Sequence, residues 1–233
     1  MKPRHLLTFA IMALCAGMTP ANALEFRVLV WDGSESALKY AANGKTIGIS
    51  GTENDLSPVY RFTGAGPLVL FKEVKQEEKT VRETAATLPL PPGLTHAILI
   101  LAATDAAQKT YSGMWINDAP DSRPAETIQF VNLSSYPTAL KFGEQEFSIP
   151  SGGNHQVRFD AAQECIVLRG AANVNDKWEL FSGNPIPVRA GLRLLMVLRN
   201  GRPASGRSTA VVDMISFYDI PPARPGTPVA SSR

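Results

Sequence analysis

The 233-residue chain carries 23 Lys+Arg against 21 Asp+Glu, a formal net charge of +2, with two cysteines and three histidines. So even a balance argues against nucleic acid or anionic lipid as the main partner, since both call for a basic excess. Two cysteines are too few for a disulfide framework, so stability has to come from apolar cores.

In chain order, Lys2 and Arg4 precede an apolar stretch, Leu6 to Met18, that is too short to span a bilayer. Ala21-Asn22-Ala23 then gives the small-x-small pattern of a signal-peptidase site. Residues 1–23 are expected to be a cleaved signal peptide, which implies a periplasmic or secreted protein. Leu14 stands where a lipobox has a small residue before its cysteine, so Cys15 is expected to leave with the leader. Lys2 and Arg4 leave with it, and Cys165 remains unpaired. No transmembrane segment is expected after residue 23.

Short strand patterns follow, first "EFRVLVW", "ALKYA", "KTIGIS", "PVYRF", "LVLFKEV", "TVRETAATL", "THAILILA" and "YSGMWI". A second series runs "IQFVNL", "ALKF", "EFSIP", "HQVRF", "CIVLR", "KWELF", "IPVRA", "RLLMVLR" and "TAVVDMISFYD". "NG", "GAG", "PPG", "SGG", "SGN" and "NG" punctuate them as turn signals. "HQVRF" alternates like a half-buried strand, while "AILILA" and "RLLMVL" are apolar throughout, as central strands covered on both faces are. No stretch has a capped period of 3.6.

The chain also matches itself. "SALKY" (36–40) pairs with "TALKF" (138–142), "PVYRF" (58–62) with "HQVRF" (155–159), and "LVLFK" (68–72) with "CIVLR" (165–169). "PLPPGLTHAILI" (89–100) pairs with "PVRAGLRLLMVL" (187–198). The matches are collinear, as duplication of a unit of about one hundred residues requires. The expected fold is all-β, two tandem immunoglobulin-like β-sandwich domains at 24–118 and 124–220. They meet near the polar "INDAPDSRPAE" (116–126). The tail 221–233, rich in proline, is expected to be disordered.

The segment "FVNLSSYPTALKFGEQEFSIPSGG" resembles the opening of uncharacterised secreted bacterial tandem immunoglobulin-like β-sandwich proteins: a strand ending in Asn, a short glycine-containing hairpin, then a P-x-G turn. The resemblance implies the fold and brings no functional residues.

Candidate chemistry starts at "DGSES" after the first strand. Asp32, Ser34 and Ser36 have the spacing of the cation-holding loop of von Willebrand factor A-type domains, and "TD" at 104–105 could complete such a shell. Against this, no long helix follows Ser36, and the internal match puts "SSYPT" (134–138), without acid, opposite "DGSES". The expectation is therefore a loop with no metal, and a divalent-cation-dependent adhesion module stays as an alternative. His96 is expected to pack within its strand, and His155 and Asp160 point to opposite faces. No nucleophile elbow, zinc spacing or phosphate loop occurs, so neither catalysis nor a cofactor is expected. Cys165 and two tryptophans, Trp31 and Trp178, are expected in cores. Trp115, beside Tyr111 and a polar loop, is the tryptophan expected to be exposed. Arg199, Arg202 and Arg207 are expected on a hairpin able to grip anionic groups. Together these point to a non-catalytic binding or structural protein of the cell envelope, engaging a protein or glycan partner through strand edges and hairpin loops. The alternative for the same residues is a carbohydrate-binding module.

Overall fold

The computed structural model describes residues 23–31, 34–105, 110–201 and 210–221. Residues 1–22, where a signal peptide is expected, Asp32, Arg202, Arg207 and residues 222–233 lie outside the described residues. Eighteen strands and no helix occur within them, the outcome expected of period-two patterns broken by turn residues.

The first ten strands are β1 (Leu24–Trp31), β2 (Ser34–Glu35), β3 (Lys39–Ala42), β4 (Lys45–Gly48), β5 (Gly51–Thr52), β6 (Tyr60–Phe62), β7 (Leu68–Gln76), β8 (Lys79–Leu88), β9 (His96–Asp105) and β10 (Thr110–Asn117). They form sheets of order β10-β9-β1-β6 and β4-β3-β7-β8, with a small β2-β5 pair. Then come β11 (Thr127–Asn132), β12 (Thr138–Phe142), β13 (Gln145–Ile149), β14 (Asn154–Arg158), β15 (Cys165–Val174), β16 (Lys177–Pro187), β17 (Arg193–Asn200) and β18 (Val212–Asp219). Their sheets are ordered β18-β17-β11-β14 and β13-β12-β15-β16. Each half thus has the same strand order, and in each the opening strand lies parallel to its penultimate one, β1 to β9 and β11 to β17.

The alternation along each strand decides what it packs against. In β1, Phe26, Val28 and Val30 enter the first core with Tyr40 and Leu70, while Leu29 points the other way. In β17, Leu194, Met196 and Leu198 enter the second core, while Leu195 and Val197 point away from it. The two outward faces meet. Leu29, Ile98, Ile100 and Ile116 from the first half pack with Val131, Leu195, Val197 and Phe217 from the second in a third buried cluster. Four sheets therefore stack in layers, and the inner two lie back to back along an apolar seam. Double burial is why "AILILA" and "RLLMVL" have no polar face.

Turn chemistry fixes the hairpins. Asn43-Gly44 joins β3 to β4 with φ of 51° and 71°, and Asn175-Asp176 joins β15 to β16 with 49° and 63°. Two successive positive φ angles suit the right-handed twist of flanking strands, and Asn, Asp and Gly tolerate them best. "SGN" (182–184) was expected to be a turn between two strands; instead β16 runs through it. The pairing with β15 shifts between Gly170 and Ala171. A Cβ at Gly170 would lie 2.5 Å from the Phe181 ring, so glycine makes room for the bulged strand's aromatic.

Asn132, fully buried at the end of β11, organises the adjoining loops. Its Nδ2 donates to the carbonyls of Tyr136 (2.8 Å) and Ile149 (3.0 Å), and its Oδ1 accepts from Ser134 N–H (3.0 Å) and Oγ–H (2.7 Å). The asparagine ending "FVN" is thus a structural hub.

Candidate functional site

The "DGSES" segment makes an internal contact. Ser34 and Glu35 pair as β2 with Thr52 and Gly51, and Glu35 Oε1 accepts the N–H groups of Ser36 (2.9 Å) and Ala37 (2.7 Å). Glu35 Oε2 accepts from Lys72 Nζ (2.9 Å) and from the Tyr111 hydroxyl, and Lys72 lies over the Tyr111 ring. Burial alone would raise the carboxyl's pKa. The bonds from Tyr111, Lys72 and the Ala37 amide outweigh it and hold Glu35 down at about 2. Burial and the same carboxylate push Tyr111 up to about 12. Among the described residues, no group of three metal-ligating side chains assembles.

Tyr111 is therefore engaged with Glu35. Trp115 is half-buried on the first core, edge-on to Phe26 at 5.9 Å, and its Nε1 donates to Pro89 O at 3.0 Å. The expected exposed platform is not at this tryptophan. Arg199 donates from Nε and Nη2 to Asp213 (3.0 and 2.8 Å) and from Nη1 to Glu53 (3.3 Å), so it ties the two halves together at one end of the seam. Three further expectations change. His96 is partly exposed beside Glu25, Cys165 is exposed, and Trp178 is 55% exposed rather than in the core.

At the other end of the seam lies a charged cluster that sequence reading missed. Arg27 Nη2 reaches Asp118 (2.9 Å) and Asp219. Arg193, fully buried, donates to Asp219 (2.8 and 3.1 Å) and to the carbonyls of Asp118 and Arg123 (3.2 and 2.9 Å), with Nη2 also 3.0 Å from the Asp118 carboxylate. Arg123, 1% exposed, pairs with Asp118 through Nη1, while its Nε and Nη2 have no hydrogen-bond partner. Burial pulls the Arg123 pKa down to about 10, with Asp118 offsetting it only in part. For Arg27, burial is outweighed by Asp219 and Asp118, and its pKa ends above the ordinary value. Burial likewise would raise Asp219, but Arg27 and Arg193 hold it below the usual carboxylate range. The missed signal was local: "RVLVW" and "GLRLLM" each place one arginine in an apolar strand. Beside this cluster a pocket of about 190 Å³ opens, with Phe26, Ala97, Val59 and Ile220 among its walls.

A second surface lies on the outer face of the β13-β12-β15-β16 sheet. Register sets Ser148, Ala139, Ala171 and Leu180 in one cross-strand row, and Glu146, Lys141, Arg169 and Gly183 in the next. Small side chains leave a shallow trough of about 360 Å³ with Leu180 at its edge. Leu180 is 80% exposed, and Val167, at 47%, stands on the same face. Asn173 opposite Trp178 continues the face past Leu180. Lys141 is paired with Glu146 at 2.9 Å, whereas Arg169 has no ion pair among the described residues.

The fold and these surfaces define an all-β protein of stacked small sheets, with a charged, pocketed seam and one outer face bearing exposed apolar side chains. Compared with known proteins, the chain matches no family model and no curated sequence. No helix among the described residues is long and apolar enough to cross a membrane.

Proposed function

We propose that the chain is an exported, non-catalytic binding or structural protein of the cell envelope, built from two tandem immunoglobulin-like sandwiches that arose by duplication. The collinear self-matches and the shared strand order of the two halves support the duplication, since strands in matching segments, such as β7 and β15, hold the same place in their sheets. Residues 1–23 direct export, to the periplasm or beyond. The partner is an envelope protein or glycan.

The observation that carries this reading is the outer face of β15 and β16. Exposed Val167, Trp178 and Leu180 share one sheet face with a floor of small residues and an unpaired arginine. Aliphatic and aromatic groups gathered like this are what a partner surface desolvates, and Trp and Arg are enriched where binding energy concentrates. Trp178 favours one second reading, carbohydrate binding, because an exposed indole stacks on a sugar ring.

The test is binding of the purified chain to an envelope-glycan array and to immobilised envelope proteins, with Trp178→Ala and Leu180→Ser introduced together. Binding lost at an unchanged melting temperature is the expected result. Retained binding in the double variant would move the contact elsewhere.

A further inference from the structure

We propose that the seam pocket beside Arg27 binds a free α-amino acid with an aliphatic side chain. This site is separate from the outer face of β15 and β16 and does not depend on it.

The charges select the ligand class. Three arginines (27, 123 and 193) meet two aspartates (118 and 219) in the cluster, an excess of one positive charge. Of these, Arg27 and Arg193 line the pocket with Asp118 and Asp219, and Glu25 adds a third carboxylate, so both signs face the cavity while Arg123 lies behind its wall. A plain anion would face three carboxylates, and a plain cation would face the guanidinium groups. A small molecule carrying both signs satisfies each.

The donors are in place. Of the five N–H groups of a guanidinium, Arg27 commits only those on Nη2. Its Nε and Nη1 make no hydrogen bond among the described residues and are not fully buried, and Arg27 lines the pocket, so these donors remain for a ligand. A carboxylate docked there gains charge-assisted bonds in a partly dry site. Glu25 sits two residues earlier in β1, hence on the same face of the strand. Its carboxylate is half-exposed, with His96 Nε2 3.8 Å away, and can accept an ammonium group.

Size and lining set the rest. At about 190 Å³ the pocket is smaller than the roughly 300–1,000 Å³ that holds a drug-sized ligand. Val59 and Ile220, 62% and 71% exposed, flank it as apolar walls that a branched side chain would cover.

The test is calorimetric titration and thermal melting of the purified chain with L-leucine, leucinamide, which lacks the carboxylate, and N-acetyl-leucine, which lacks the ammonium. Leucine is expected to bind and raise the melting temperature by several degrees at saturation, and the two blocked compounds to do neither. Glu25→Gln and Val59→Asp change exposed side chains and leave the arginine cluster intact, so both are expected to melt like the wild type. Each is expected to weaken leucine binding about tenfold or more, the loss of one charge-assisted contact or of an apolar wall. No leucine binding, equal binding of N-acetyl-leucine or leucinamide, or an undiminished affinity in Glu25→Gln would overturn the assignment.

Discussion

Replacing Asp118 with Asn isolates the electrostatics of the seam with little change in shape. The carboxylate, 8% exposed, accepts from Arg27 at 2.9 Å, lies 3.0 Å from Arg193 Nη2 and pairs with Arg123. The amide keeps an acceptor oxygen but removes the charge, so three guanidinium groups face only Asp219. Breaking a buried pair by removing one partner costs about 3–5 kcal/mol, and Asp118→Asn should fall in that range, since whichever way the amide turns its NH2 group faces a guanidinium donor. Arg123→Met should behave differently. Its Nε and Nη2 are already unbonded and burial disfavours its charge, so an apolar replacement of similar length should lie within about 1 kcal/mol of the wild type. Combined, the two substitutions should recover part of the loss, a coupling of about 0.5–3 kcal/mol. Equilibrium unfolding in urea, followed by far-UV circular dichroism, measures all three variants. A cost below about 1 kcal/mol for Asp118→Asn, or one of about 3 kcal/mol or more for Arg123→Met, would refute the account of the cluster.

Three further outcomes are expected. Asn132→Ala leaves the buried Ser134 amide without its acceptor, at about 1–3 kcal/mol, and removes one of two donors from each of the carbonyls of Tyr136 and Ile149, so its thermal melt should fall clearly below that of the wild type. Glu35 has a pKa of about 2 in the fold against an ordinary 4.5, so its stabilisation is present above pH 4.5 and lost as pH falls toward 2. Acid titration of stability in Glu35→Gln should be flatter across that window. Leu195→Ala opens a cavity in the seam and should cost about 2–5 kcal/mol by chemical denaturation.

The strands were largely legible because period-two alternation and Asn-Gly turns are local signals. Even the doubly covered "AILILA" and "RLLMVL" announced a second buried face, though not what would cover it. Asn175-Asp176, a turn as good as Asn43-Gly44, was passed over in favour of "SGN", where the bulge at Gly170 lets β16 continue. In the charged cluster the arginines of two apolar strands were a local signal, but their partners were not. Arg27 meets Asp118 and Asp219 across 91 and 192 positions, and no local window holds such a pairing. Arg199 drew attention by its neighbours in sequence, yet its fork is taken up by Asp213 and Glu53. For the tryptophans, strand pattern alone does not say which face of a sheet is wet, and the exposed one is Trp178 rather than Trp115.

The back-to-back seam also governs the order in which the protein can be made. When the first half has left the ribosome, Leu29, Ile98, Ile100 and Ile116 form an apolar face with nothing yet to cover it. The cover is completed only by β18, near the end of the chain, where Asp219 closes onto Arg27. Until then the intermediate presents a sticky sheet to other chains, the usual route to misassembly in multi-unit proteins. A fragment ending near residue 118 should therefore be poorly soluble by itself, and the two halves, made separately, should find each other.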